Sequence, residues 1–168
     1  PNKQYTNVET VEEMQEKPFL VYDGEKGFGV FLPALRTDAV GTSWQEEGEG
    51  SDTKLPEGEF IPLSEFYVAR ADRDNAQTLN AALQEGKHLF FTPGIYDLDE
   101  ELCVDRAGSI VLGSGLATLR AAKGNLCMRV NAPEKTVVAG LLFDAGAEKS
   151  PLLFCVGNGE EDEGGLTG

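Results

Sequence analysis

Five carboxylates fall within residues 97 to 105: Asp97, Asp99, Glu100, Glu101 and Asp105. Carboxylates paired at a turn have the chemistry to bind calcium, or to act as acid and base in glycoside cleavage. The plainer reading is a solvated, turn-forming rim. No cofactor is expected, and calcium at this rim is the alternative. Asp144 closes an otherwise apolar run, Val137 to Phe143, and is followed by Ala145-Gly146. Such a residue caps a turn through backbone hydrogen bonds before it serves as a ligand. His88 is the sole histidine; it stands at the entry to a strand-like run and has no Ser or Cys partner in a nucleophile motif, so a structural role is expected. Cys103, Cys127 and Cys155 make an odd count, which rules out complete internal pairing.

The segments that carry these residues repeat. Leu89-Phe90-Phe91-Thr92-Pro93-Gly94-Ile95-Tyr96-Asp97-Leu98 lies over Ile110-Val111-Leu112-Gly113-Ser114-Gly115-Leu116-Ala117-Thr118-Leu119 after a shift of 21 residues. A further shift of 25 reaches Val137-Val138-Ala139-Gly140-Leu141-Leu142-Phe143. Each copy breaks at a glycine (Gly94, Gly115, Gly140) and ends in a second apolar stretch: Leu102 to Val104, Leu126 to Val130, Leu152 to Val156. The pieces have strand length and strand composition, and no helical period is sustained after Gly86. Three short strands per repeat at a period in the twenties predict a stacked solenoid, mainly β, with about three coils. The three glycines should then form a vertical file.

On that stacking the three cysteines form a loose column on the third strand of successive coils. Alternation sets Cys127 with Arg129 opposite Leu126, Met128 and Val130, so the thiols should point outward. Free, partly covered thiols are the plain reading. A disulfide or a metal column is the alternative, and no His or Cys-x-x-Cys spacing supports the metal.

Ahead of the coils the spacing predicts one helix. Asp74 is its expected N-cap with Gln77 at the third position, Ala76, Leu79 and Leu83 form its apolar face, and Gly86 stops it. Laid over the end of a solenoid, such a helix covers an apolar cross-section and unpaired strand edges. Further upstream, Phe19 to Asp23 and Phe28 to Leu32 flank Gly24-Glu25-Lys26-Gly27 as a β-hairpin. Residues Gln45 to Glu59 read as an acidic surface loop, after which Phe60-Ile61 and Phe66-Tyr67-Val68 return to the coil. The organisation expected is residues 1–65 as an extension with hairpin and acidic loop, 66–157 as capping helix and coils, and 158–168 as an acidic, Gly-rich tail containing Glu160-Glu161-Asp162-Glu163.

With 29 acidic against 14 basic side chains the formal charge is -15, which repels a phosphate backbone and disfavours nucleic acid. Neither a bilayer-length apolar run nor a signal-peptide pattern occurs in the sequence. The chain starts at Pro1, which reads as a processed product or a segment of something longer.

The run from Asn75 to Leu83, then Gly86, then Leu89 to Leu98 with its Pro93-Gly94-Ile95-Tyr96, resembles the start of right-handed parallel β-helix proteins of the pectate-lyase superfamily. The later Gly140 to Gly146, Ser150-Pro151-Leu152-Leu153 and Val156-Gly157 are similar to uncharacterised secreted bacterial members. The resemblance implies the fold and a secreted or cell-surface location. It transfers no catalytic residue, because the superfamily spans lyases, hydrolases, epimerases, tailspikes and adhesins, whose enzymes carry many more coils. Two functions are expected. The first is an extracellular module with a structural or binding role, meeting polysaccharide or another protein at the open solenoid end. The second is the N-terminal part of a polysaccharide lyase or glycoside hydrolase whose catalytic coils lie beyond residue 168.

Overall fold

The computed structural model describes residues 9–43 and 55–157; the acidic tail and most of the predicted acidic loop lie outside the described residues. The chain divides into two compact units, Pro1–Leu63 and Ser64–Gly168.

The first unit contains β1 (Val11–Met14), β2 (Phe19–Asp23), β3 (Gly27–Pro33), β4 (Arg36–Ala39) and β5 (Gly58–Pro62). The predicted hairpin forms as β2 and β3, paired antiparallel from Phe19 with Phe31 to Asp23 with Gly27. Asp23 fastens the turn by accepting from the backbone N–H groups of Glu25 and Lys26, each at 2.9 Å. Two expectations are corrected here. Phe60-Ile61 does not return the chain to the coil, and the loop ends before Gly58, because Gly58–Pro62 adds a third antiparallel strand beside β3. The pairing is specific to glycine: a Cβ on Gly29 would overlap the Phe60 ring, and one on Gly58 would overlap the Phe31 ring. Each aromatic ring covers the bare backbone of a neighbouring strand. The ribbon of β1 with β4 was not legible in the sequence.

In the second unit, β6 (Phe66–Ala69) leads to α1 (Ala76–Gln84), then to β7 (His88–Phe91), β8 (Gly94–Leu98) and β9 (Leu102–Val104). The following coil is β10 (Ile110–Ala121) and β11 (Met128–Val130), and the last is β12 (Val137–Asp144) and β13 (Phe154–Val156). Every pairing among these strands is parallel, in the orders β12-β10-β7-β6 and β13-β11-β9, with β8 beside the second half of β10. The unit is therefore a parallel β-helix, and β6 adds a rung to the three predicted, giving about four turns.

The register corrects the predicted shifts. Leu89 pairs with Val111 and Gly94 with Ala117, offsets of 22 and 23 residues, so Gly94 and Gly115 are not in file. Gly115 instead faces Pro93, and Gly113 backs onto Gly140, where a Cβ would overlap the Gly140 carbonyl oxygen. The bends differ in length from coil to coil: β10 advances from Leu112 to Ala117 while β12 advances from Ala139 to Leu141. A hand alignment on glycines misses this because each bend uses its glycine at a different step.

Inside, identical positions stack into columns. Tyr96, Leu119 and Phe143 form one, and Leu102, Met128 and Phe154 another. Tyr96 is the one polar-tipped member of the inner column, and its hydroxyl lies 2.9 Å from the carbonyl oxygens of both Ala69 and Thr92, which share its single proton. Those bonds tie the first bend to the rung below, as a buried Tyr hydroxyl requires.

The helix buries Ala76, Leu79, Ala82 and Leu83 in the same core. Its N-cap is Asn75, not Asp74: the Asn75 side chain accepts from Thr78 N, and Thr78 Oγ1 accepts from Asn75 N. Asp74 is drawn away because its carboxylate, nearly buried, accepts from Tyr67 Oη and Arg70 N, both at 2.7 Å. Gly86 ends the helix at φ +82°, the left-handed conformation the stop requires.

Candidate functional site

The acidic rim sits at the turn from β8 to β9 and just beyond, and the next coil supplies partners for four of its five carboxylates, Asp97, Asp99, Glu101 and Asp105; Glu100 lies at the same turn. Arg120 grips Asp97 with two bonds of 2.6 and 2.9 Å, Lys123 lies 3.5 Å from Asp99, and Arg129 Nε lies 3.3 Å from both Glu101 oxygens. Asn131 Nδ2 donates to Asp105 at 2.6 Å. The Arg120 guanidinium holds the Asp97 carboxyl below the usual carboxylate range. A carboxyl so held is a poor general acid, which needs the opposite shift. The carboxylates are spread along a ladder of ion pairs, and among the described residues no three His, Cys, Asp or Glu groups gather as a metal site would need.

The cysteines divide two and one. Cys103 and Cys155 each pair with Arg129 from opposite sides, so they occupy one outward column with the arginine between them. Two strand spacings separate them, about 9.6 Å, beyond the reach of a disulfide. Cys127 is corrected: it precedes β11, where strand alternation does not apply, and it is fully buried with its thiol 3.6 Å from the Leu119 carbonyl. Burial pushes the Cys127 thiol up; burial and then the Glu101 carboxylate push Cys103 up. Both therefore stay protonated and weakly nucleophilic near neutral pH. All three cysteines are free.

His88 ties two coils together. Its Nδ1 accepts from Ile110 N at 3.0 Å, its ring rests on Phe66 with centroids 4.9 Å apart, and Arg106 Nη2 lies 3.5 Å from the same nitrogen. Burial, then Arg106, lower its pKa, while Glu65 opposes them. The ring is thus neutral at pH 7, with its proton on Nε2.

The two ends of the solenoid differ. At the helix end, Asn80 meets the free edge of β9: its Nδ2 donates to Glu101 O and its Oδ1 accepts from Cys103 N, both at 2.9 Å. Sequence reading missed this residue; its only signal is a side chain with both donor and acceptor on the core-facing half of a capping helix. At the other end, among the described residues, β12 and β13 each pair on one side only, with β10 and β11. In the stack of Val104, Val130 and Val156, exposure runs 0%, 3% and 57%. Val138, Leu141, Phe143, Leu153 and Phe154 are likewise only partly buried, with the Phe143 and Phe154 rings 5.2 Å apart. Asp144 stands at this end, accepts from Gly146 N at 3.2 Å in a tight turn, and shares Arg120 as its in-register neighbour with Asp97.

In the first unit Tyr22 and Phe28 form an exposed edge-on pair with centroids 5.0 Å apart. A cavity of about 220 Å³ is lined by Pro33, Ala34, Arg36, Ser43, Pro56 and Glu57. Two of its polar groups are engaged: Ser43 Oγ and N bond Glu16, and Arg36 Nη2 donates to the Gly41 carbonyl at 2.6 Å. No helix among the described residues is long and apolar enough to cross a membrane.

Comparison with known proteins adds the following. The pattern of the LAM55 pectate lyase-like domain matches residues 66–167. An exo-beta-1,3-glucanase of Streptomyces sp. (strain SirexAA-E / ActE) is 45% identical over 158 residues, covering 94% of this chain and 25% of that protein. Among solved structures, sacteLam55A from Streptomyces sp. SirexAA-E superposes with a TM-score of 0.81 at 45% identity, over 92% of this chain and 26% of the other. A variant of sacteLam55A in complex with glucose gives the same values. The chain thus spans about a quarter of the length of the curated relative it matches.

Proposed function

From a chain that belongs to the LAM55 pectate lyase-like domain family, we propose that it is the β-helix module of a secreted glycoside hydrolase acting on β-1,3-glucan. The observation that carries this reading is the 45% identity, held over 94% of the chain, to a protein named as an exo-beta-1,3-glucanase. The electrostatics agree: a chain of charge -15 suits a neutral polysaccharide better than a polyanionic one. Within the whole enzyme these residues supply a rigid scaffold. The Asp97, Asp99 and Glu101 carboxylates are committed to Arg120, Lys123 and Arg129, and the acid and base of hydrolysis come from elsewhere in the polypeptide.

A binding contribution is the second reading, favoured by the exposed Tyr22 and Phe28 pair, whose apolar rings suit the faces of a neutral sugar. One experiment covers both. The natural full-length polypeptide and this 168-residue chain are each incubated with a soluble β-1,3-glucan, and released glucose and retention on immobilised glucan are measured. The proposal predicts glucose from the full-length protein and none from the chain alone. A full-length protein that leaves β-1,3-glucan intact overturns it. Retention of the chain that is lost in Tyr22→Ala/Phe28→Ala supports binding, and equal retention of the variant removes it.

A further inference from the structure

We infer that one face of the hairpin of β2 and β3 is a surface site for a single neutral pyranose ring, formed by Leu20, Tyr22 and Phe28. The inference rests on the binding reading above and deepens it, because it states how much of a glycan the aromatic pair holds.

Three observations specify the site. First, the three side chains share a face. Tyr22 and Phe28 stand directly opposite each other across the hairpin, and Leu20 lies two residues from Tyr22 on the same side of β2. Leu20, Tyr22 and Phe28 are exposed at 47%, 64% and 56%, while Val30, opposite Leu20, is sealed. Apolar side chains grouped in water mark a contact site where a lone one does not. Secondly, the charges of Asp23 and Lys26 are drawn off this face. Asp23 bonds the backbone N–H groups of Glu25 and Lys26, and the Lys26 ammonium lies 5.2 Å from the centre of the Phe60 ring. Phe60 pairs with Phe31, which points to the opposite side of β3 from Phe28. On the aromatic side Glu59 stands opposite Leu32, about 13 Å along β3 from Phe28. An uncharged aromatic patch on a chain of -15 suits a neutral ligand, and the C–H groups of a pyranose meet the negative face of a ring favourably.

Thirdly, the dimensions fit one sugar. The Tyr22 and Phe28 centroids are 5.0 Å apart and their planes cross at 60°. A flat sugar ring lies against only one of two planes so inclined, and the other then closes its side. Leu20 extends the patch by about 7 Å along the strand, so the whole covers about one pyranose. A glycan held over several units needs further rings along its length, and this face continues with Val30, Leu32, Ile61 and Glu59 instead. A protein partner is disfavoured by area, since a stable interface buries about 800 Å² on each side and three side chains do not reach it.

Hydroxyl-radical footprinting of the natural full-length polypeptide tests this, because mass spectrometry reads oxidation at Tyr22 and Phe28 separately. The probes are methyl β-glucoside and the β-1,3-linked glucose dimer and trimer. Both rings should oxidise readily without sugar, and saturating sugar should roughly halve their oxidation, since stacking covers one side of a ring. The half-protecting concentrations of the three probes should agree within about threefold, because a site for one ring gains no contact from added units. Tyr22→Ala should raise the concentration that protects Phe28 by roughly fivefold to tenfold, and Tyr22→Phe should leave it nearly unchanged. Rings that resist oxidation without sugar, being covered by another segment, overturn the inference, as do rings that sugar leaves unprotected. An affinity that climbs roughly tenfold with each added unit also overturns it, as the mark of an extended groove, while leaving the binding reading intact. An active glucanase with unprotected rings sinks only the sugar site, and protected rings in a protein inert toward β-1,3-glucan sink only the hydrolase reading.

Discussion

Asn80→Ala is expected to lower the stability of the second unit by about 2 kcal/mol, a figure that follows from two hydrogen bonds and one helix position. Asn80 bridges the free edge of β9 through Glu101 O and Cys103 N. Alanine leaves a carbonyl and an N–H without their partner beneath a packed helix, at about 1 to 1.5 kcal/mol each. Against this loss of about 2 to 3 kcal/mol, alanine regains about 0.6 kcal/mol because asparagine is the poorer helix former. In a chain of this size 1 kcal/mol moves the melting temperature by about 2–4 °C, so Tm should fall by roughly 4–8 °C. Urea unfolding followed by circular dichroism measures the difference, with the slope against denaturant unchanged. Asn80→Asp is the informative companion: it can still accept from Cys103 N but turns a carboxylate oxygen toward Glu101 O, so it should do no better than alanine. A loss below about 0.5 kcal/mol for Asn80→Ala would refute the claim that this side chain closes the sheet edge.

Other outcomes follow from the same geometry. The His88 pKa is lowered in the folded state, so the unfolded chain binds more protons; stability is full above the ordinary value of 6.5 and declines as pH falls through it. The urea midpoint should thus drop between about pH 7.5 and about pH 5.5, and His88→Gln should flatten that drop; identical pH slopes in the two proteins would count against it. Gly113→Ala should cost about 3 kcal/mol or prevent folding, because its Cβ overlaps the Gly140 carbonyl, whereas Gly24→Ala meets open space and should stay within about 0.5 kcal/mol. Millimolar calcium should leave Tm unchanged, since a cation must displace Arg120, Lys123 and Arg129 from the rim. A calcium-dependent rise above about 2 °C would instead support the calcium reading of Asp97 to Asp105.

The repeat was legible because each rung must bury the same side of the same strands, which leaves Leu, Val and Phe at equivalent positions. That constraint is periodic in space but only loosely so in sequence, since bends absorb different numbers of residues. The register around Gly94, Gly115 and Gly140 was therefore out of reach. Cys127 was misplaced for a related reason: two-residue alternation holds inside a strand, and β11 begins one residue later, at Met128. The cap moved from Asp74 to Asn75 because Tyr67 and the Arg70 N–H compete for the Asp74 carboxylate, a contact made only once β6 is in place. Strands β1, β4 and β5 were hidden by charge or by glycine, and their pairing is decided by neighbours distant in the chain. The acidic rim was legible as a cluster, but the pairing of Asp97, Asp99 and Glu101 with Arg120, Lys123 and Arg129 of the next coil depends on register.

The claim on which the account turns is parallel stacking of successive coils with Phe90, Leu112 and Ala139 side by side. Inter-strand nuclear Overhauser contacts in the isotopically labelled chain test it most directly. The account predicts amide-to-α-proton contacts linking β7 to β10 and β10 to β12 in that register, without close pairs of α-protons across the strands. Close α-proton pairs between those segments, the mark of antiparallel neighbours, would contradict it.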